Sequence, residues 1–123
     1  MDQPAFALPS DAELTVTASG LRYAVSREGT GKSPGARDRV TVHYAGWLLD
    51  GTPFDSSYAR GQSIAFRLDE VIPGWTEGVQ LMREGGIAKF VIPPGLAYGR
   101  RGAPPVIGPD ATLLFQVELI RVG

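Results

Sequence analysis

Hydrophobic and polar positions change their period along this chain, and the changes outline its elements. Over residues 39–48, Val40, Val42, Tyr44 and Leu48 fall on one side of an alternating pattern. That is the two-residue period of a strand. A second alternation, Ile64, Phe66 and Leu68 with Arg67 pointing away, predicts a strand over 64–68. Trp75, Val79 and Met82 then recur at i, i+4 and i+7, which makes one apolar stripe on a short helix. Gly85-Gly86 closes that helix, as glycine does beyond a helix C-terminus. Residues 87–92 and 112–122 read as further strands. Residues 14–18 and 21–27 read as two short strands, or one interrupted at Ser19-Gly20.

Glycine and proline punctuate these elements. Residues 28–37 are a loop, Asp50-Gly51 is a strong turn dipeptide, and Pro93-Pro94 stops the strand before it. Residues 95–110 form a long Gly- and Pro-rich loop, and loops of that length in compact domains are often functional. Residues 1–13 mix Pro, Ser and acids and predict a flexible N-terminal arm before a domain over 14–123. The order lacks the regular strand–helix alternation of a parallel sheet. It predicts the α+β class, an antiparallel sheet of five to six strands packing one face on a single short helix.

Composition narrows the chemistry. A chain of 123 residues with 43% hydrophobic content suits one globular domain. The 12 basic and 13 acidic side chains are scattered, with no basic stripe, so nucleic acid is not an expected partner. The absence of cysteine excludes disulfides, thiolate catalysis and Cys-based zinc sites. A single histidine, His43, excludes a multi-histidine metal site within one chain. No metal or cofactor is expected. No apolar run approaches the ~18 residues of a membrane span, and the first residues carry neither the basic nor the apolar region of a signal peptide. No membrane association is expected. Localisation stays open, with the cytoplasm favoured and a periplasmic or secreted mature form compatible.

Three motifs have bland readings that win. Gly29-Thr30-Gly31-Lys32-Ser33 resembles the end of a phosphate-binding loop, but Ser26 stands where the first glycine belongs and Pro34-Gly35 follows where a helix must open. It reads as a Gly-rich connection. His43 lies opposite Val42 and Tyr44 in an alternating strand, and a packed or partly exposed structural residue is the expectation. No Gly-x-Ser-x-Gly elbow supports hydrolase chemistry, and no pair of carboxylates stands out as a glycosidase couple. The aromatics say more. Tyr44, Phe54, Phe66, Trp75, Tyr98 and Phe115 are spread over the strand regions, the helix and the long loop. Each alone reads as core, yet Phe54 and Tyr98 adjoin turn signals, where aromatics line pockets. Asp55, directly after Phe54, reads either as a turn acid or as a pocket acid.

Several blocks together resemble the FKBP-type prolyl isomerases. They are Val42-His43-Tyr44-Ala45-Gly46 followed by Asp50-Gly51-Thr52-Pro53-Phe54-Asp55-Ser56-Ser57; Val71-Ile72-Pro73-Gly74-Trp75-Thr76-Glu77-Gly78; Pro94-Gly95-Leu96-Ala97-Tyr98-Gly99; and 111–119, ending Phe115-Gln116-Val117-Glu118-Leu119. They occur in family order with near-family spacing and span about residues 20–122. The resemblance implies a curved antiparallel sheet wrapped on one helix. It implies a pocket with Trp75 as floor and Tyr44, Phe54, Phe66, Val71, Ile72, Tyr98 and Phe115 as walls, with Asp55 as its acid. Val106 and Ile107 match apolar loop-tip positions, and Ile64 stands where an aromatic is common. Arg100-Arg101 departs from the family pattern and puts positive charge near the groove mouth.

The implied activity is peptidyl-prolyl cis/trans isomerisation of proline-containing peptides and unfolded proteins. FK506- and rapamycin-type macrolides are implied ligands, and a monomer is the expected state. The alternative is a non-catalytic module that binds proline peptides or unfolded chains.

Overall fold

The computed structural model describes residues 3–123. Seven strands form one antiparallel sheet. They are β1 (Thr15–Val16), β2 (Arg22–Arg27), β3 (Arg39–Leu48), β4 (Pro53–Ser56), β5 (Ile64–Arg67), β6 (Ile87–Ile92) and β7 (Leu113–Val122). The order across the sheet is β1-β2-β6-β7-β3-β4, with β5 also paired to β3. Among the described residues the α-helices are the single turn α1 (Ser57–Arg60) and the main helix α2 (Pro73–Val79), beside four three-residue 3-10 turns.

The sheet has more strands than the five to six expected. The additional one is β4, whose sequence Pro-Phe-Asp-Ser carries no apolar alternation. It exists because the turn at Leu48–Thr52 folds it back onto β3, where Leu48 N–H donates to the Thr52 carbonyl at 2.8 Å. The stripe Trp75–Val79–Met82 is also only partly helical. Regular helix ends at Val79, and tight turns carry Leu81 and Met82 onward. Met82 remains buried, so the stripe marks a buried surface longer than the helix.

Alternation along β3 separates two apolar layers. Val40, Val42 and Tyr44 join Phe90, Phe115, Val117 and Leu119 in the main core, on the face that carries α2. Ala45 and Trp47 join Tyr58, Val91 and Leu114 on the other face. The N-terminal segment crosses this second face. Phe6 meets Trp47 edge-on with ring centroids 6.1 Å apart, Lys89 Nζ donates to the Ala7 carbonyl at 2.9 Å, and Leu14 packs on the cluster.

Helix α2 opens with Pro73 at its first position, where the missing N–H is no loss. Gly74 and Gly78 let it sit close to β6. A Cβ at Gly74 would stand 2.5 Å from Ile92 Cγ2, and one at Gly78 would stand 2.7 Å from Phe90 Cε1. In an open helix, Gly→Ala stabilises by up to about 1 kcal/mol. Here the fully buried Phe90 ring would have to shift, and overpacking of this kind costs about 1–3 kcal/mol. The clash outweighs the propensity gain. Gly78→Ala is therefore expected to lower the urea midpoint, with no change in m-value; a raised midpoint would show that the helix has room to spare.

Candidate functional site

The concave face of the sheet is not fully covered by α2. Beside the helix lies a cavity of about 730 Å³. β3 supplies Tyr44, β4 supplies Phe54 and Asp55, β5 supplies Ile64 and Phe66, and β7 supplies Phe115. Val71, Ile72 and Trp75 come from the start of α2 and the residues before it, and Tyr98, Val106 and Ile107 come from the long loop. The structure thus brings around one cavity the twelve residues expected to form the site: the six aromatics, Asp55, Ile64, Val71, Ile72, Val106 and Ile107. Glu70, Ala103, Pro104 and Pro105 also line it and had no sequence signal of their own.

Trp75 is the hub of this arrangement. Its ring meets Tyr44 edge-on at 5.2 Å, Phe115 edge-on at 5.3 Å and Phe66 at 5.4 Å. Aromatic pairs at these separations each contribute about 0.5–1.5 kcal/mol beyond area burial. The indole N–H is buried with no hydrogen-bond acceptor among the described residues. Such an orphan costs about 1–3 kcal/mol, so the ring contacts are what hold Trp75 in place. Gly46, directly opposite Phe115 in the ladder, leaves room for two of the rings. A Cβ there would stand 2.7 Å from Phe54 and 2.8 Å from Phe115.

One edge of the cavity is polar. The Tyr44 hydroxyl donates to Asp55 Oδ2 in a short hydrogen bond. Arg60, at the end of α1, donates to Asp55 Oδ1 at 2.5 Å and to the Tyr44 hydroxyl at 3.1 Å, and its guanidinium stands 5.8 Å from the Tyr44 ring centre. Burial opposes ionisation of Asp55, but the hydrogen bonds from Tyr44 and Arg60 outweigh it and hold the carboxyl below its usual range. Burial, then the Asp55 hydrogen bond, raises the Tyr44 hydroxyl. Tyr98 is raised by burial and by the Asp55 charge. At neutral pH the acid is ionised and both phenols keep their protons. Arg60 went unread in the sequence, because nothing there shows that one helical turn after Asp55 returns it to the same carboxylate.

Behind Tyr44 lies a second polar group. Ser57, fully buried, accepts from the Tyr44 backbone N–H at 2.7 Å and stands 2.8 Å from His43 Nδ1 and 3.2 Å from the Tyr44 carbonyl. His43 stacks on Tyr58 at 4.8 Å, and Tyr58 donates to Glu118 at 3.2 Å. Burial and the Glu118 charge push the Tyr58 hydroxyl up to about 12. His43 is thus a packed residue on the face away from the cavity, as its parity indicates. Ser57 continues the β3–β4 pairing with its side chain where the chain turns into α1.

The far wall is the long loop. Gly102 has φ +62°, and a Cβ there would stand 2.4 Å from the Ile107 carbonyl, so the position requires glycine. The loop then closes on itself through two Ala103–Ile107 backbone hydrogen bonds of 2.8 and 3.1 Å. This turns the buried Ile107 and the exposed Val106 toward the cavity. Arg100 and Arg101 are exposed and do not line it, and its charged lining groups are Asp55 and Glu70. Among the described residues there is no cluster of metal-ligating side chains, and no helix is long and apolar enough to cross a membrane.

An open antiparallel sheet holding an aromatic cavity beside one helix defines a structural class with known relatives. The sequence profile of the FKBP-type peptidyl-prolyl cis-trans isomerases matches residues 31–120. The chain is 57% identical over 107 residues to a probable FKBP-type peptidyl-prolyl cis-trans isomerase FkpA of Neisseria meningitidis, covering 87% of this chain and 39% of that protein. It superposes on the crystal structure of FkpA from Escherichia coli with a TM-score of 0.87 at 49% identity, covering 91% of this chain and 52% of the other. An isomerase from Pseudomonas syringae gives 0.86 at 41% identity, with 93% and 84% covered. The chain belongs to the FKBP-type peptidyl-prolyl cis-trans isomerase family. It spans less than half the length of the curated relatives it matches.

Two variants test the polar scaffold. Ser57→Ala leaves the Tyr44 N–H unpaired and strips His43 of a partner, and is expected to cost about 1–3 kcal/mol in urea unfolding. The second concerns pH. The folded pKa of Asp55 lies below the unfolded value of about 3.9. Its stabilising contribution is therefore present above about pH 4 and lost as pH falls through the folded pKa. The Tm gap between the wild type and Asp55→Asn is expected to narrow from about pH 6 to about pH 2. A constant gap would remove Asp55 from the acid response.

Proposed function

We propose that this chain accelerates cis/trans rotation of X-Pro bonds by enclosing the proline in its aromatic cavity. The observation that carries the reading is the ring set of Trp75, Tyr44, Phe66 and Phe115 lining one open cavity, with the Tyr44–Asp55–Arg60 group at its edge. The family membership supports it.

Rotation about a peptide bond breaks amide resonance across a barrier of about 18–20 kcal/mol. No bond is made or broken, so the site needs neither a nucleophile nor a general base. The planar amide is the more polar state, and water favours it over the twisted one. An apolar cavity withdraws that differential solvation, and a shape that fits the twisted form adds to it. Each ~1.4 kcal/mol removed from the barrier is a factor of ten, and a millionfold acceleration needs about 8 kcal/mol.

In this reading Trp75 and the surrounding rings hold the proline and exclude water. Two donors suit the substrate carbonyls. Among the described residues neither the Ile72 N–H nor the Tyr98 hydroxyl makes a hydrogen bond, and both border the cavity. Asp55, tied to Arg60, fixes the tilt of Tyr44 and sets the field at that edge. Ile64, Val71, Val106 and Ile107 contact the residues that flank the proline. The working unit in this reading is a monomer. Substrates are proline-containing peptides and unfolded proteins, and macrolides of the FK506 and rapamycin kind suit the same apolar cavity.

Exchange on an Ala-Leu-Pro-Phe peptide, followed by NMR or a protease-coupled assay, is expected to be faster with the protein than without. Asp55→Leu is expected to lower kcat/KM about tenfold, the loss of one charge-assisted contact, with circular dichroism unchanged. No acceleration in protein that still binds a macrolide would make the chain a non-catalytic proline binder.

A further inference from the structure

The charge on the cavity lining is uneven in a way the isomerase reading does not use. Two carboxylates border the cavity, Asp55 and Glu70. Asp55 is neutralised locally by Arg60 at 2.5 Å. Glu70 has no ion pair, and its carboxylate accepts no hydrogen bond, among the described residues. The nearest cation in sequence, Arg67, is held by Asp69 at 2.7 Å. Neither Arg100 nor Arg101 lines the cavity to offset it. Glu70 ends a tight turn and directly precedes Val71 and Ile72, both of which line the cavity. A chain lying along Val71 and Ile72 passes this carboxylate.

We propose that Glu70 is a specificity-determining residue that makes the site prefer prolines flanked by a basic side chain. The inference rests on the isomerase reading and deepens it. Glu70 is exposed, so the preference is modest. Pairs of exposed charges correspond to about 1.4- to fivefold in an equilibrium, and they weaken in salt.

The test uses two peptide series, Xaa-Leu-Pro-Phe and Ala-Leu-Pro-Phe-Xaa, with Xaa as Lys, Gln or Glu. Exchange is measured by NMR at low and high salt, and each rate is divided by that of the Gln peptide so that general losses cancel. In at least one series the wild type is expected to favour Lys over Glu about threefold at low salt. The ratio is expected to fall toward one in Glu70→Gln and at high salt, and to invert in Glu70→Arg. A wild type without preference, or a preference that persists in Glu70→Gln, overturns the proposal. Should no peptide be turned over, the isomerase reading fails separately. The same ratios are then read from tryptophan-fluorescence binding titrations of the same peptides, with the same outcomes deciding.

Discussion

The site depends on a mismatch of lengths. β3 and β7 each run ten residues, about 33 Å of strand. The helix that covers their concave face runs seven residues, about 10 Å. A curved sheet buries one face on whatever is available, and here the helix covers only part of it. The rest must be closed by side chains large enough to fill space from the rim. Aromatic rings do this, and they leave the cavity between them. Gly74 and Gly78 draw the helix onto β6, so the open part of the face lies to one side.

That geometry separates two jobs. Trp75 packs Tyr44, Phe66 and Phe115 into one body through edge-on and tilted contacts, while its own N–H finds no acceptor among the described residues. Tyr44 is held at both ends. Ser57 grips its backbone, and Asp55 with Arg60 grips its hydroxyl. The turn of helix at Ser57–Arg60 serves both grips, since its first residue reaches the strand and its last reaches the carboxylate. The two acids on the lining then differ in partnership and in burial. Asp55 is compensated and organises the site. Glu70 keeps its charge for what enters.

Periodicity made much of this readable. The strand over 39–48 and that over 87–92 coincide with β3 and β6, because both are long enough to show their alternation and are buried on their inward faces. β4 and α1 escaped because Pro-Phe-Asp-Ser and Ser-Tyr-Ala-Arg show no apolar alternation, unlike the equally short β5. The stripe through Met82 was seen as helix because periodicity reports burial rather than hydrogen bonding. The residues at 1–13 lack a period as well, yet Phe6 reaches Trp47 on the second face of the sheet.

Local pattern by itself determined the α+β class and the inward faces of the strands over 39–48 and 64–68, since those follow from alternation within a single segment. The ordered blocks added the identity of the ring set and of Asp55. Tertiary structure decided the rest. Only the folded sheet brings Arg60 back onto Asp55, sets Ser57 and Tyr58 against His43, and puts Glu70 rather than Arg100 on the cavity wall. Charges act through distance in space, and a one-dimensional pattern carries no distance beyond its own element.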